Sequence, residues 1–431
     1  MKAWPPNSSH KDTSYLRYAT RRRKKELKSF ASLRLCVIIL AVLCVFAFPV
    51  AAQNQVPALV THSVVVMDAT TGTIVFEKNP DDEIPPASLT KLMTMHLAFR
   101  EIAAGRASPE EIIIPPRESW AVNQLPRSSV LGLANGQRLS LRELFLGMAV
   151  FSGNDAATAC ALRFAPSVDA FVEMMNREAR SLGLPHTRFV DASGYSEENM
   201  TTAREFTEFC CVYLQAHPFS LADYHSVREF AYPRAENISA LNGANPATRI
   251  HINNNNLLGK LEGVDGMKTG YIPESGYNIA LTAERDGTRF IAVLLGAPSE
   301  WGGDRLRDED GRKIVEWAFA NYRTVKLDIG AMEAVRVWKG KEDYASIIPA
   351  SPLKFTALAE RGEEISWHVT IREPIIAPMP AGSPVGELMI YDSLGELRSI
   401  PLVTVGDMER GGFFKRLLDS VRLFFRQLQY N

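Results

Sequence analysis

Alternation of apolar and polar positions marks the first folded stretch of the chain. His62-Ser-Val-Val-Val-Met-Asp68 and Thr73-Ile-Val-Phe-Glu77 flank Thr71-Gly72 and predict an antiparallel hairpin. A second pair of alternating runs, Tyr277 to Glu284 and Thr288 to Gly296, is joined by the Asp286-Gly287 turn. Between them the period changes to that of helices, over 88–104, 140–164, 168–182 and 202–215. The second of these is broken into Ser140–Val150 and Asp155–Phe164. A closing helix from Arg305 to Tyr322 carries Ile314, Val315, Trp317, Ala318 and Phe319 on its apolar side. The expectation is a mostly antiparallel sheet with a helical insertion, an α+β architecture.

Past Asn321 the pattern shortens. Ala334–Trp338, Ser346–Pro349, Phe355–Leu358, Ile365–Ile371 and Glu387–Tyr391 are brief alternating runs divided by Gly and Pro, as in a small all-β domain. The last stretch, Gly412 to Gln429, returns to helical spacing. Phe413, Phe414, Leu417, Leu418, Val421, Phe424, Phe425 and Leu428 fall on one face, and Lys415, Arg416, Arg422 and Arg426 on the other. A basic amphipathic helix of this kind suits the surface of an anionic bilayer. The pattern divides the chain into 1–52, 53–322, 323–407 and 408–431.

Composition narrows the classes. With 431 residues, 46% of them hydrophobic, the chain can bury a large core and a second domain. A formal net charge of −1 and the lack of a basic stripe in the body argue against nucleic-acid binding. Residues 1–52 differ: Arg21-Arg22-Arg23-Lys24-Lys25 precedes an apolar run from Leu35 to Val50 and a Val50-Ala51-Ala52 exit, the layout of a cleaved secretory signal. Cleavage after Ala52 removes Cys36 and Cys44. Cys160, Cys210 and Cys211 remain, without metal-site spacing, and read as buried thiols in helices. No metal or cofactor is implied.

The chemistry-bearing residues fall in three places. Ser88 and Lys91 are one helical turn apart at the start of the 88–104 helix, after Pro85-Pro86, which hold the approach extended. A serine hydroxyl needs a base within hydrogen-bond reach. A lysine becomes one when burial or a neighbouring cation lowers its pKa, and Leu89, Leu92, Met93, Leu97, Phe99 and Ile102 predict a buried helix. Ser152-Gly153-Asn154 occupies the break between two helices. Lys268-Thr269-Gly270 follows Val264-Asp-Gly-Met267, and Met267 excludes a phosphate loop, which needs Gly before Lys. Asn154 taken alone could simply cap the following helix. His96 reads as a packed core residue, and Glu197 and Glu198 as solvated.

Ser-x-x-Lys, Ser-x-Asn and Lys-Thr-Gly, in that order, form the signature of penicillin-binding proteins and class A β-lactamases. The mature chain resembles the low-molecular-weight penicillin-binding proteins, the serine D-alanyl-D-alanine carboxypeptidase family, over about 55–320, the β-domain and the tail. His186-Thr-Arg-Phe189, Thr202-Ala-Arg204, Val264–Gly270 and Gly382-Ser-Pro-Val-Gly386-Glu-Leu are similar to its flanking text. The resemblance implies a β-lactamase/transpeptidase-like catalytic domain that removes the terminal D-alanine from peptidoglycan stem peptides through a Ser88 acyl-enzyme, with β-lactams as acylating inhibitors. It implies Lys91 as base, Ser152 and Lys268 as a proton relay, and Asn154 on the peptide amide. The amides of Ser88 and Tyr271 would form the oxyanion hole. Lys268, Thr269, Gly270 and Tyr271 would line the substrate strand, with Arg307, or failing that Arg305, on the terminal carboxylate. It also implies secretion to the periplasm and peripheral attachment to the inner membrane.

Two departures stand out: Tyr271 where the family often has His, and Asn254 where some members carry Arg. A D,D-endopeptidase shares the motifs. A class A β-lactamase does too, but no Glu-x-x-Leu-Asn lies between Ser152 and Lys268. A penicillin- or muropeptide-binding scaffold without turnover is the non-enzymatic alternative.

Overall fold

The computed structural model describes residues 55–430 apart from 239–246, 301, 360–364 and 393–394. The expected signal segment 1–52, with Cys36 and Cys44, lies outside the described residues, as does the side chain of Leu428. Five antiparallel strands form the central sheet: β1 (Ser63–Asp68), β2 (Thr73–Lys78), β3 (Val264–Ile272), β4 (Gly276–Arg285) and β5 (Thr288–Ala297), in the order β2-β1-β5-β4-β3. Every residue of β1 is buried, because both faces of the sheet are covered. Val64 and Val66 pack with Ile279, Leu281 and Leu294 against Ile314, Val315 and Ala318 of the closing helix. Val65 and Met67 point the other way, into a core shared with Phe99, Phe145, Phe206 and Phe209.

The helical side contains α1 (Lys91–Ala103), α2 (Leu141–Val150), α3 (Asn154–Phe164), α4 (Val168–Ser181) and α5 (Ala203–Ala216); α6 (Gly303–Asn321) closes the opposite face. Local chemistry sets several of their starts. Ser140 and Glu143 form a reciprocal capping box on α2, and Thr202 caps α5 through Glu205 N. The turn between β4 and β5 places Asp286 at φ 48° and Gly287 at φ 75°, the pair of positive angles that a two-residue hairpin requires.

Three expectations need correction here. Ser88 does not open an α-helix; it lies in a 3-10 turn over Ala87–Thr90, and α1 begins at Lys91. Pro86 is not extended but turned, at φ −70° and ψ −13°, as the residue that starts that turn. The sheet also has one more strand than its alternation showed, since β3, which carries Lys268-Thr269-Gly270, is its edge. Lys268 and Thr269 are both buried, so no two-residue alternation is visible there.

The β-rich part follows directly. β6 (Tyr322–Lys326) pairs with 354–358, so this pairing begins one residue inside the first expected domain. A four-stranded antiparallel sheet is built from 347–349, 395–404, 384–392 and 366–371. Its 395–404 strand was absent from the expectation, where Pro401 and polar outward positions hid it. Leu388, Ile390, Ile400 and Leu402 form the core with Val337 and Phe355. A buried carboxylate joins this part to the central sheet: Asp68 Oδ2 accepts from Thr324 Oγ1 and Thr356 Oγ1, both at 2.8 Å.

The final helix, α7 (Phe413–Tyr430), rests on the β-domain by its polar side. Asp419 is buried and accepts from Lys339 N at 2.8 Å, while Lys415 Nζ reaches Asp343 at 2.7 Å and Arg426 pairs with Glu373. Phe413, Phe414, Leu417, Leu418, Val421, Phe424 and Phe425 are exposed. Among the described residues, no helix is long and apolar enough to cross a membrane.

Candidate active site

A cleft of about 1070 Å³ opens between the helical side and the outer edge of β3. Ser88, Ser152, Asn154, Thr269, Gly270, Tyr271 and Arg307 all line it. Three distant segments therefore meet, and close backbone contacts hold them together. A Cβ on Gly270 would stand 2.9 Å from Pro86 O and 3.0 Å from Ser88 N. One on Gly194 would stand 1.8 Å from Ala87 O, and Gly194 has φ 79°. Only glycine lets this strand and this loop approach the serine turn so closely. Ala87 and Ser152 themselves sit at φ 50° and 66°, left-handed conformations of the kind that concentrate where side chains must be aimed.

Lys91 is fully buried and meets three oxygens: Ser88 Oγ at 3.0 Å, Asn154 Oδ1 at 2.7 Å and Ser193 O at 2.6 Å. A carbonyl and an amide oxygen can only accept. When the amine is neutral its two N–H bonds go to them, and its lone pair is left facing the Ser88 hydroxyl. Burial pushes Lys91 down to about 7, against the opposing pull of Asp191 and Asp155. Lys268 is buried as well, and donates to Thr269 O at 2.8 Å. Burial first, then the charges of Lys91 and Arg307, hold it well below the ordinary lysine value. The Ser152 hydroxyl is buried with no hydrogen-bond partner among the described residues, which leaves it free for an incoming group.

Arg307 is buried in α6 and donates Nε and Nη2 to a single oxygen of Asp308, at 2.9 and 2.6 Å. Its guanidinium lies 6.0 Å from the Tyr277 ring, whose centroid is 4.3 Å from that of Tyr271 across β3 and β4, the two rings tilted by 31°. The alternative, Arg305, is exposed and pairs with Glu309, so it does not line the cleft. Asn254 does line it, held by Val150 O at its amide. Glu197 is exposed, as expected, and lies on the cleft wall. His96 is buried between Glu178 and His217, and Cys160, Cys210 and Cys211 are buried free thiols.

Several groups escaped the sequence reading. The Asp155 carboxylate accepts from the amides of Leu131, Gly132 and Leu133 and fixes the loop beside Ser152-Gly153-Asn154. Asp191 organises the loop that supplies Ser193 O. Behind β3, His225 bonds Tyr213 OH at 2.8 Å, and burial with the nearby Lys268 charge holds it down to about 3. Among the described residues, no cluster of side chains suited to a metal occurs.

This site, a serine hydroxyl beside a buried amine at the edge of an antiparallel sheet, is of the serine-hydrolase class. The chain belongs to the D-alanyl-D-alanine carboxypeptidase family, whose pattern matches residues 50–299, and residues 328–410 match the C-terminal domain of penicillin-binding protein 5. It is 33% identical over 384 residues to the D-alanyl-D-alanine carboxypeptidase DacD of Escherichia coli, covering 86% of this chain and 93% of that one. The DacD protein of Salmonella typhimurium is 32% identical over 371 residues, covering 85% and 90%. Among solved structures, penicillin-binding protein 5 from Haemophilus influenzae superposes with a TM-score of 0.73 at 25% identity, over 83% of this chain and 99% of that one. Penicillin-binding protein 6B from Escherichia coli does so with a TM-score of 0.66 at 29% identity, over 83% and 99%.

Proposed function

We propose that this chain is a D-alanyl-D-alanine carboxypeptidase that trims peptidoglycan stem peptides through an acyl-enzyme on Ser88. The observation that carries the assignment is the Lys91 amine, whose lone pair in its neutral form faces the Ser88 hydroxyl. The peptide binds along the open edge of β3, with its terminal carboxylate toward Thr269 and Arg307. Lys91 takes the Ser88 proton as Oγ bonds to the penultimate carbonyl carbon. The amides of Ser88 and Tyr271 hold the resulting oxyanion, a kind of contact whose loss typically costs ~10²–10³ in rate. Asn154 holds the peptide amide. Collapse breaks the C–N bond, and the Ser152–Lys268 pair delivers a proton to the departing D-alanine. Water then releases the shortened peptide. Tyr271 leaves the oxyanion donor unchanged because that donor is a main-chain group. β-Lactams enter the same step as acylating inhibitors.

The remaining readings concern place. Residues 53–322 serve as the catalytic domain, 323–407 as a β-rich spacer and 408–431 as a membrane-association helix, after secretion directed by 1–52. The support for peripheral attachment to the inner membrane is that α7 uses its polar side for the protein and leaves its phenylalanines exposed. The full β-rich domain favours the carboxypeptidase over an endopeptidase, since the Pseudomonas aeruginosa D-alanyl-D-alanine endopeptidase is similar over only 56% of this chain.

The test has two arms. Mass spectrometry after penicillin labelling should place the adduct on Ser88, and D-alanine release from a pentapeptide should vanish in Ser88→Ala. Release unchanged by Ser88→Ala ends the serine assignment. Sedimentation with anionic vesicles should carry the intact chain down, but not a variant with Phe413, Phe414, Phe424 and Phe425 replaced by serine.

A further inference from the structure

Lys91 receives its third contact from a main-chain carbonyl, and that carbonyl sits in an unusually bonded loop. Asp191 Oδ1 accepts from Ser193 N at 2.7 Å, Ser193 Oγ at 2.9 Å and Gly194 N at 2.6 Å. Asp191 Oδ2 accepts from Ser196 N and Asn199 Nδ2, both at 2.8 Å. Asn199 Oδ1 then returns to Val190 N at 2.9 Å, closing residues 190–199 on themselves. The loop touches the nucleophile's support at three successive points. Gly194 lies against Ala87 O, Ser193 O takes Lys91 Nζ at 2.6 Å, and Ala192 O takes Thr94 Oγ1 at 2.7 Å. One carboxylate thus organises the bracket into which the serine, the lysine and the next turn of α1 all fit.

We propose that Asp191 is a positioning residue of the acylation step: its carboxylate holds the 190–199 loop so that Ser193 O orients the Lys91 amine. The proposal rests on the reading of Lys91 as the base. Asp191 stays ionised because, although burial alone would raise it, the amides of Ser196 and Ser193 and the Asn199 and Ser193 side chains hold it below the usual carboxylate range. The charged groups acting on Lys91 are Asp191 and Asp155, which favour its ammonium form, and Lys268, which opposes it. Asp155 bonds the amides of the 131–133 loop and Ala156, and none of its bonds reaches Lys91 or Ser193. Asp191 joins its charge to a hydrogen-bonded route through its own loop to the amine.

The experiment follows single-turnover acylation of Ser88 by a fluorescent penicillin between pH 5 and 9, in the full mature chain. In the wild type the rate rises along an acid limb as Lys91 loses its proton. Asp191→Asn removes an anion, so Lys91 titrates at lower pH and the limb moves down by about half a unit to one unit. The loosened loop also lowers the plateau by about tenfold. Asn199→Ala loosens the loop without touching the charge, so it lowers the plateau and leaves the limb in place. Asp191→Glu keeps the charge but displaces it, with the same outcome as Asn199→Ala, and carries the test if the asparagine variant does not fold. A folded Asp191→Asn enzyme with the wild-type limb overturns the proposal, as does an equal limb shift in Asn199→Ala or a shifted limb in Asp191→Glu. Failure of the underlying reading looks different: the wild type shows no acid limb, or Ser88→Ala is still labelled.

Discussion

Replacing Gly270 with alanine separates the chemistry of this site from its stability. The added carbon would lie 2.9 Å from Pro86 O, 3.0 Å from Ser88 N and 3.2 Å from the Ala87 methyl. Two of these three neighbours are main-chain atoms and cannot rotate away. Ordinary carbon contacts lie at ~3.5 Å or more, so the serine turn and β3 must part by roughly half an ångström. That displacement falls on Ser88 N, an oxyanion donor in our mechanism, and on the link between Gly270 and Tyr271, which carries the other. Complete loss of one donor costs ~10²–10³ in rate, and a misplacement of ~1 Å costs about a hundredfold. Half that movement is expected to slow acylation by about ten- to a hundredfold, or ~1.4–2.7 kcal/mol of barrier.

Stability should fall by at most ~2.5 kcal/mol. Alanine in a strand recovers ~0.5–1 kcal/mol of backbone entropy relative to glycine, against ~1–3 kcal/mol of overpacking. The comparison is Gly72→Ala in the β1–β2 turn, where φ is 73° and no atom lies within 4 Å of the new carbon. There ~1 kcal/mol of stability is lost to the left-handed backbone, with acylation untouched. Stopped-flow acylation with a chromogenic cephalosporin and thermal unfolding of both variants decide the matter. A folded Gly270→Ala enzyme acylated within twofold of the wild-type rate would refute the argument, because the contact distances would then place no constraint on the oxyanion donors.

Other consequences follow from the same structure. Lys91 titrates near 7 in the folded chain and near 10.5 when unfolded, so the unfolded state binds more protons between those values and the penalty of burying the charge is greatest below pH 7. Lys91→Met should therefore raise Tm relative to the wild type more at pH 6 than at pH 10, and a difference independent of pH would contradict the shifted lysine. Phe99 is 1% exposed and packs its ring against Phe145, Tyr213, His217, Phe219 and Tyr224. Phe99→Ala is expected to cost ~3–5 kcal/mol in chemical denaturation. Asp68→Ala leaves two threonine hydroxyls without their acceptor where the catalytic sheet meets the β-rich part. It should speed proteolysis within the 327–334 segment while sparing Ser88 acylation, and unchanged proteolysis would deny Asp68 that role.

What could be read from the chain alone depended on whether the signal was local. The β1–β2 and β4–β5 hairpins, the capped helices and the break at Ser152 are written in neighbouring residues, and each appears close to its expected limits. Lys268 and Thr269 were recognised by their company, whereas the strand carrying them was not recognised as part of the sheet, because burial on both faces removes the alternation that marks a strand. Asp191 lay in plain view: Asp-Ala-Ser-Gly is the spacing at which a carboxylate bonds the amides two and three residues on. That spacing signals a tight turn, not an active site, and becomes informative only once Ser193 O is seen to hold Lys91. A main-chain carbonyl has no letter of its own, so half of what orients the Lys91 amine is invisible to any reading of residue types. The same reasoning separates α7 from the helices of the core. Its amphipathic period is plain in sequence, but the period alone cannot say which face meets the protein. The burial of Asp419 beside Lys339 N settles that, and turns the aromatic face outward.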